Sequence, residues 1–266
     1  MEKTKLIVRE KPREATISRV ADAHCHLFDV DPLAVESAIR AGVQIMVTNG
    51  VDTRTNMQTL GMHGKTGIYC MIGVHPNNAV GMGDEELDFN LGLIRSNSAK
   101  IVGIGEIGLD YTSAKTDADR KRQVDVFKKM LDAASKIRKP VSIHSREAIR
   151  DVFSILESYT EQKAHLHFFE GREADAKLAQ KRGYYISVPY LKSAQRADAV
   201  RNIDISNIMV ESDSPTAGST PSDARLAVEF VAGLKGIDVA KAASATFENT
   251  KRLFNIDGSR FMRSGL

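Results

Sequence analysis

Eight short runs rich in Val and Ile recur along this 266-residue chain, separated by stretches with helical spacing. That alternation restricts the fold more than any other feature of the sequence. The runs lie at 17–23, 43–48, 68–74, 101–104, 141–143, 164–168, 184–188 and 208–211. Most are apolar on both faces, as expected of strands buried in a parallel sheet. Between two of them, Val124, Phe127, Leu131 and Ala134 recur at three- and four-residue intervals within 117–138, marking one buried stripe. A last helix is expected after Asp238, a candidate cap, with Val239, Ala243, Phe247, Thr250 and Phe254 on one side. Further helices are expected over 32–41, 85–96, 146–159, 173–182 and 221–234.

Strand–helix alternation of this kind builds a closed (β/α)8 barrel or an open doubly wound sheet. A barrel typically needs about 250 residues, a length that two ordinary domains would also fill. No low-complexity tract or Pro/Ser-rich linker splits the chain, so 18–266 reads as one domain and 1–17 as an extension outside the repeat. That extension is either an added strand around 5–8 or a disordered basic tail. A net charge of +3 neither supports nor excludes a nucleic-acid substrate. Lys3, Lys5, Arg9, Lys11 and Arg13 interrupt every apolar run near Met1, and no segment is apolar for long enough to span a bilayer. Two cysteines, Cys25 and Cys70, imply no disulfide framework. The expectation is a cytoplasmic protein with no membrane association and no evident obligate protein partner.

The polar residues at the ends of the runs separate the two architectures. His24 and His26 follow the first run, two residues apart on extended backbone, so both imidazoles share a face. Glu106 follows the fourth run, His144 ends the fifth and Asp213 follows the eighth. On the sixth, His165 and His167 share a face by alternation, and His167 lies nearer the carboxyl end. In an open sheet these residues would be spread at about 4.8 Å per strand. In a barrel they converge on the carboxyl-terminal mouth, where barrel active sites lie. The pattern therefore selects a single-domain TIM barrel together with its site. Four imidazoles and two carboxylates exceed the roughly three protein ligands of a catalytic zinc. Two divalent ions about 3.5–4 Å apart account for the number better, with Glu106 as a bridge and Asp213 to orient or deprotonate water. Imidazole with carboxylate suits Zn or Mn, and Mg is common with phosphate substrates. Cys25 alternates away from the histidines and is expected to be structural.

The segments that carry these residues resemble the TatD family of metal-dependent deoxyribonucleases, within the amidohydrolase-like barrels. They are Asp22-Ala23-His24-Cys25-His26, Gly73-Val74-His75-Pro76, Gly105-Glu106-Ile107-Gly108-Leu109-Asp110 and Pro140-Val141-Ser142-Ile143-His144-Ser145-Arg146. His167-Phe168-Phe169-Glu170-Gly171, Glu211-Ser212-Asp213-Ser214-Pro215 and Asn249-Thr250-Lys251-Arg252-Leu253-Phe254 follow in order. The resemblance implies His24, His26, Glu106, His144, His167 and Asp213 as metal ligands and prefers His167 to His165. It also implies that His75 contacts substrate phosphate, a role that Arg146 could share. Ser212 stands where the family usually has Thr, and after His167, where the family usually has a Cys or small residue and then Phe-Ser-Gly, Phe168, Phe169 and Glu170 precede Gly171. The implied activity is metal-dependent hydrolysis of phosphodiester bonds near DNA ends, on single strands or strand termini. With aromatics at 6% and no Trp, short or terminal engagement is favoured over an extended stacking groove. The alternatives are an amide or ester hydrolase (a deacylase) on the same two-metal site, or a binding protein that has lost its chemistry.

Overall fold

A computed structural model describes residues 19–191 and 193–257. The expectations for 1–17, and the first two positions of the first expected strand, lie outside the described residues. Eight strands run in sequence order around one sheet: β1 (Val20–Cys25), β2 (Val43–Asn49), β3 (Ile68–Ile72), β4 (Ile101–Asp110), β5 (Val141–Arg146), β6 (Ala164–Leu166), β7 (Tyr185–Val188) and β8 (Ile208–Val210). Every neighbouring pair from β1–β2 to β7–β8 is parallel. Just past β8, Asp213 N–H donates to His24 O at 3.0 Å, and His26 N–H donates to Ser214 O at 2.8 Å. These two bonds bring the last strand back to the first and close the (β/α)8 barrel.

Among the described residues ten α-helices accompany the strands: α1 (Pro32–Arg40), α2 (Thr53–Leu60), α3 (Pro76–Gly81), α4 (Asp84–Ser96), α5 (Asp117–Ile137), α6 (Ile149–Leu156), α7 (Glu173–Lys181), α8 (Ala194–Asn202), α9 (Ala224–Lys235) and α10 (Val239–Phe254). A large cluster of buried apolar side chains, Ile104, Phe127, Leu131 and Val228 among them, lies between strands and helices. A smaller one holds Ala21, Ala23, Ile45, Val47, Tyr69, Met71 and Met209 from the strands, together with Phe247, Leu253 and Phe254 of α10. Helix α10 thus plugs the amino-terminal end of the barrel, a packed core rather than a pore.

Several boundaries differ from the sequence expectation. Strand β4 continues to Asp110, so Glu106 lies within a strand and not after one. Residue 146 ends β5, and α6 spans only Ile149–Leu156 because Glu147 adopts a left-handed backbone (φ 53°) between them. Asp238 occupies the N-cap position of α10 without a side-chain capping bond. The segment expected as one helix over 221–234 divides into a 3₁₀ turn (Pro221–Asp223) and α9. Helices α2, α3 and α8 have no counterpart in the expectation. In α2 the buried side chains are Thr55, Asn56 and Thr59, so no apolar stripe announces it.

Two pairing irregularities shape the carboxyl-terminal mouth. Along β1, Asp22 pairs with Met46 but Cys25 with Thr48, and along β4, Ile104 pairs with Val141 but Ile107 with Ile143. In each case one extra residue bulges out of the ladder, which re-aims side chains beside it. The first bulge lets Ala21 and Ala23 fill the barrel interior while His24 and His26 meet above them and Cys25 turns outward. The second contains Gly105 and Glu106. A Cβ on Gly105 would come within 2.8 Å of both Asn49 Oδ1 and Ser142 Cβ, so only glycine lets β4 pass there.

Candidate metal centre

Glu106 is the hub of the site, 3% exposed and surrounded by five imidazoles. Its Oε2 lies 3.4 Å from Nε2 of both His24 and His26. Its Oε1 lies 2.8 Å from His167 Nε2, 2.9 Å from His144 Nδ1 and 3.3 Å from His75 Nε2. Asp213 Oδ1 joins the first side, 3.3 Å from His26 Nε2 and 3.9 Å from His24 Nε2. Three sets of donor atoms are close enough to hold an ion: His24, His26 and Asp213; His24, Glu106 and His167; and His75, Glu106 and His144. The structure thus brings His24, His26, Glu106, His144, His167 and Asp213 together around one point, with His75 beside them.

Surrounding hydrogen bonds decide which imidazole nitrogens face that point. His26 Nδ1 sits 2.9 Å from the Asn49 carbonyl, which can only accept, so the proton is on Nδ1 and Nε2 offers its lone pair inward. His144 Nε2 lies 3.1 Å from Asp110 Oδ2, leaving Nδ1 for the centre. His24 Nδ1 lies 3.1 Å from Ser142 Oγ, whereas His167 Nδ1 makes no hydrogen bond and has Glu211 Oε2 only as a charged neighbour at 3.8 Å. Anchoring one ring nitrogen and presenting the other is the arrangement of metal-binding histidines. His75 is the exception. Its Nδ1 accepts from Asn77 N–H at 3.1 Å, so its proton is on Nε2 and points inward. This imidazole is a hydrogen-bond donor to the site, not a lone-pair ligand.

The electrostatics match a cation-seeking cluster. Burial disfavours the charged form of His26, but Asp213 and Glu106 overcome it and raise its pKa. His144 is raised in the same way against burial by Asp110 and Glu106, and His167 well above the usual range by Glu106 and Glu211. Burial also opposes ionisation of Glu106, yet the neighbouring histidines hold it well below the ordinary carboxylate range. His24, buried and beside His167, is pushed down to about 3. A carboxylate that stays ionised amid imidazoles at 2.8–3.4 Å is the donor set a divalent cation requires.

His165 belongs elsewhere. It is fully buried, its Nδ1 3.1 Å from Ser142 Oγ and its Nε2 2.5 Å from Ser187 Oγ, so both nitrogens are already engaged. Cys25 places Sγ 3.5 Å from the Val47 carbonyl, away from the donor sets. Arg146 is exposed at the rim of the cavity above Glu106, a space of about 810 Å³ that His75, Phe28, Phe168, Arg196 and Asp213 also line. Supporting residues that sequence reasoning did not single out hold this geometry. Asp22 Oδ2 accepts from Ser212 Oγ at 2.5 Å, tying β1 to the segment after β8; burial raises its pKa against that bond. Glu211 accepts from Phe168 N–H at 2.7 Å and from Ser187 Oγ at 2.5 Å. Asp22, Asp110 and Glu211 stood in the segments that carry the family resemblance, but nothing in the sequence assigned them a supporting role.

The family model for "TatD related DNase" matches residues 21–255. The chain is 29% identical to the human deoxyribonuclease TATDN3, the match covering 88% of this chain and 94% of that protein. It is 31% identical to the uncharacterized metal-dependent hydrolase YabD of Bacillus subtilis, covering 89% and 99%. Among solved structures, YJJV, a TatD homolog from Escherichia coli K12, superposes with a TM-score of 0.82 over 91% of this chain and all of that one, at 24% identity. A match of this extent, over a barrel with a buried His/Glu/Asp centre at its mouth, places the chain in the TatD-related DNase family of metal-dependent hydrolases.

Proposed function

We propose that this protein is a deoxyribonuclease that cleaves phosphodiester bonds near DNA ends, with two divalent ions held by His24, His26, Glu106, His144, His167 and Asp213. The observation that carries this reading is the division of Glu106, one oxygen facing the His24–His26 side and the other facing His144 and His167. A carboxylate so placed is suited to bridge two ions. Mg, Mn and Zn all fit the donor set. When bound, such ions polarise phosphoryl oxygens and acidify water.

The protein's own groups supply the rest. Asp213 borders the cavity and is positioned to take the proton from water as it attacks phosphorus. His75 directs Nε2–H toward the same space and donates to a non-bridging phosphoryl oxygen. Arg146 at the rim attracts the anionic strand. A cavity of about 810 Å³ suits a strand terminus better than a length of duplex, which supports single strands or strand ends as substrate. Residues 18–266 form the catalytic unit in this reading, with 1–17 as an extension. Two free, buried cysteines are consistent with a reducing cytoplasm, and among the described residues no helix is long and apolar enough to cross a membrane.

The test is cleavage of an end-labelled single-stranded oligonucleotide by metal-stripped protein resupplied with Mg, Mn or Zn in turn. Laddering from one end that needs metal, and that falls by about 10²–10⁴ in Asp213→Asn, is expected. Confirmed metal binding without cleavage, together with hydrolysis of acyl substrates, would overturn the reading.

A further inference from the structure

Phe168 sits against the metal centre in a conformation that bulky side chains seldom adopt. Its φ is 45°, in the left-handed region. Strain of this kind persists where the surroundings hold it, and it gathers at ligand clamps. Here the surroundings are specific. The Phe168 N–H donates to Glu211 Oε1 at 2.7 Å. The Arg196 guanidinium lies over the ring, 4.9 Å from its centroid. Arg196 is itself 4% exposed and pinned, donating from Nε to Phe169 O at 3.0 Å and from Nη1 to Leu191 O at 2.8 Å.

The ring is not core. Phe168 is half-buried and belongs to neither buried apolar cluster, whereas its neighbour Phe169 is 2% exposed and packs inside. It lines the cavity above Glu106, its centroid 6.4 Å from that of His167. A flat apolar ring that lines the cavity, held against a fixed cation that lines it too and placed beside the His/Glu/Asp centre, has the form of a base-stacking platform.

We propose that Phe168, backed by Arg196, is a nucleobase subsite: it stacks the base of the nucleotide whose phosphate lies at the metal centre. The inference rests on the nuclease reading and adds what the centre alone does not supply, recognition of a nucleotide over a bare sugar phosphate. Stacking is tolerant of sequence because every base has a π-face, and the larger purines gain more from it. A terminal purine is therefore favoured over a pyrimidine, and either over an abasic residue.

The experiment compares metal-loaded wild type, Phe168→Ala and Phe168→Tyr on oligonucleotides whose terminal residue is adenine-bearing or an abasic tetrahydrofuran. Calorimetric binding of dAMP and of deoxyribose 5-phosphate to the same three proteins runs in parallel. The base-to-abasic ratio of kcat/KM should be about tenfold in wild type, approach one in Phe168→Ala, and return in Phe168→Tyr. The ratio of the two binding constants should follow the same order. A ratio near one in wild type, or a Phe168→Ala variant that loses both substrates equally and keeps the ratio, overturns the platform and leaves the nuclease reading standing. Base-dependent binding without cleavage of either oligonucleotide supports the platform and overturns the nuclease reading instead.

Discussion

The two ends of this barrel are made from the same eight strands and have opposite character. At the amino-terminal end, Ala21, Ile45, Val47, Tyr69 and Met71 meet Phe247, Leu253 and Phe254 of α10 in an apolar plug. At the carboxyl-terminal end, four lone-pair imidazoles and two acids crowd around one point, supported by two buried aspartates, a glutamate and three serines. The plug follows apolar packing rules, although the ladder shifts register beside it too, at Ala21 and Met71. The mouth has the two strand bulges beside its donors, and Asp213 and Phe168 hold positive φ there. One end stabilises the fold; the other accepts local cost in exchange for a cation site.

Breaking the plug tests the first half of that contrast with the largest expected effect. Phe254→Ala empties a side chain that is 2% exposed, and a loss of about 3–5 kcal/mol is expected from transfer and cavity terms together. Denaturant unfolding measures the loss, while cleavage by the folded fraction at low temperature should keep its metal dependence. If stability held and activity vanished, the division of labour between the ends would be wrong.

A smaller effect sharpens the picture of the mouth. Asp110→Asn removes the carboxylate that fixes His144 Nε2 at 3.1 Å. Metal affinity should fall about 10–100-fold, as for other outer partners of ligand histidines. Titration of metal-stripped protein, followed by calorimetry, reads this directly. An unchanged affinity would mean that His144 is oriented by packing alone.

The subtlest prediction concerns pH. In the metal-free protein His26, His144 and His167 hold raised pKa values, so their contribution to stability is complete below the unfolded value of about 6.5 and is lost as pH rises through the folded values. The lowered pKa values of His24, His75 and His165 act in the opposite sense only below about pH 6.5, so metal-free protein should become less stable as pH rises past that value. Metal loading displaces the same protons, so affinity should grow over the same rise. Thermal unfolding with and without metal should show the two trends diverging; parallel trends would contradict the protonation pattern.

Legibility in the sequence followed the same division. Strands and the long helices α5 and α10 were readable because burial on both faces, or along one stripe, leaves a periodic apolar trace. Helices α2 and α8 were not, since Asn56 in one and Arg196 in the other are buried polar groups satisfied by tertiary partners. The donor residues at the mouth stood out because histidine and acid at the ends of apolar runs have few other reasons to be there. The tautomer that sets His75 apart was not readable, because it depends on the Asn77 amide. Nor was the extension of β4 past Glu106, which the bulge and Gly105 permit.

The seam between β1 and β8 has a consequence for how the molecule comes into being. Asp22 and Ser212, joined across it, are 190 residues apart in the chain, and His24, His26 and Asp213 straddle the same line. A nascent chain emerging amino end first carries its two leading histidines for most of synthesis before the aspartate arrives. One donor set therefore stays incomplete until the last strand docks. Under the function proposed above, assembly itself acts as a safety catch, because the carboxylate of Asp213 reaches the histidines only with the segment that ties β8 back to β1.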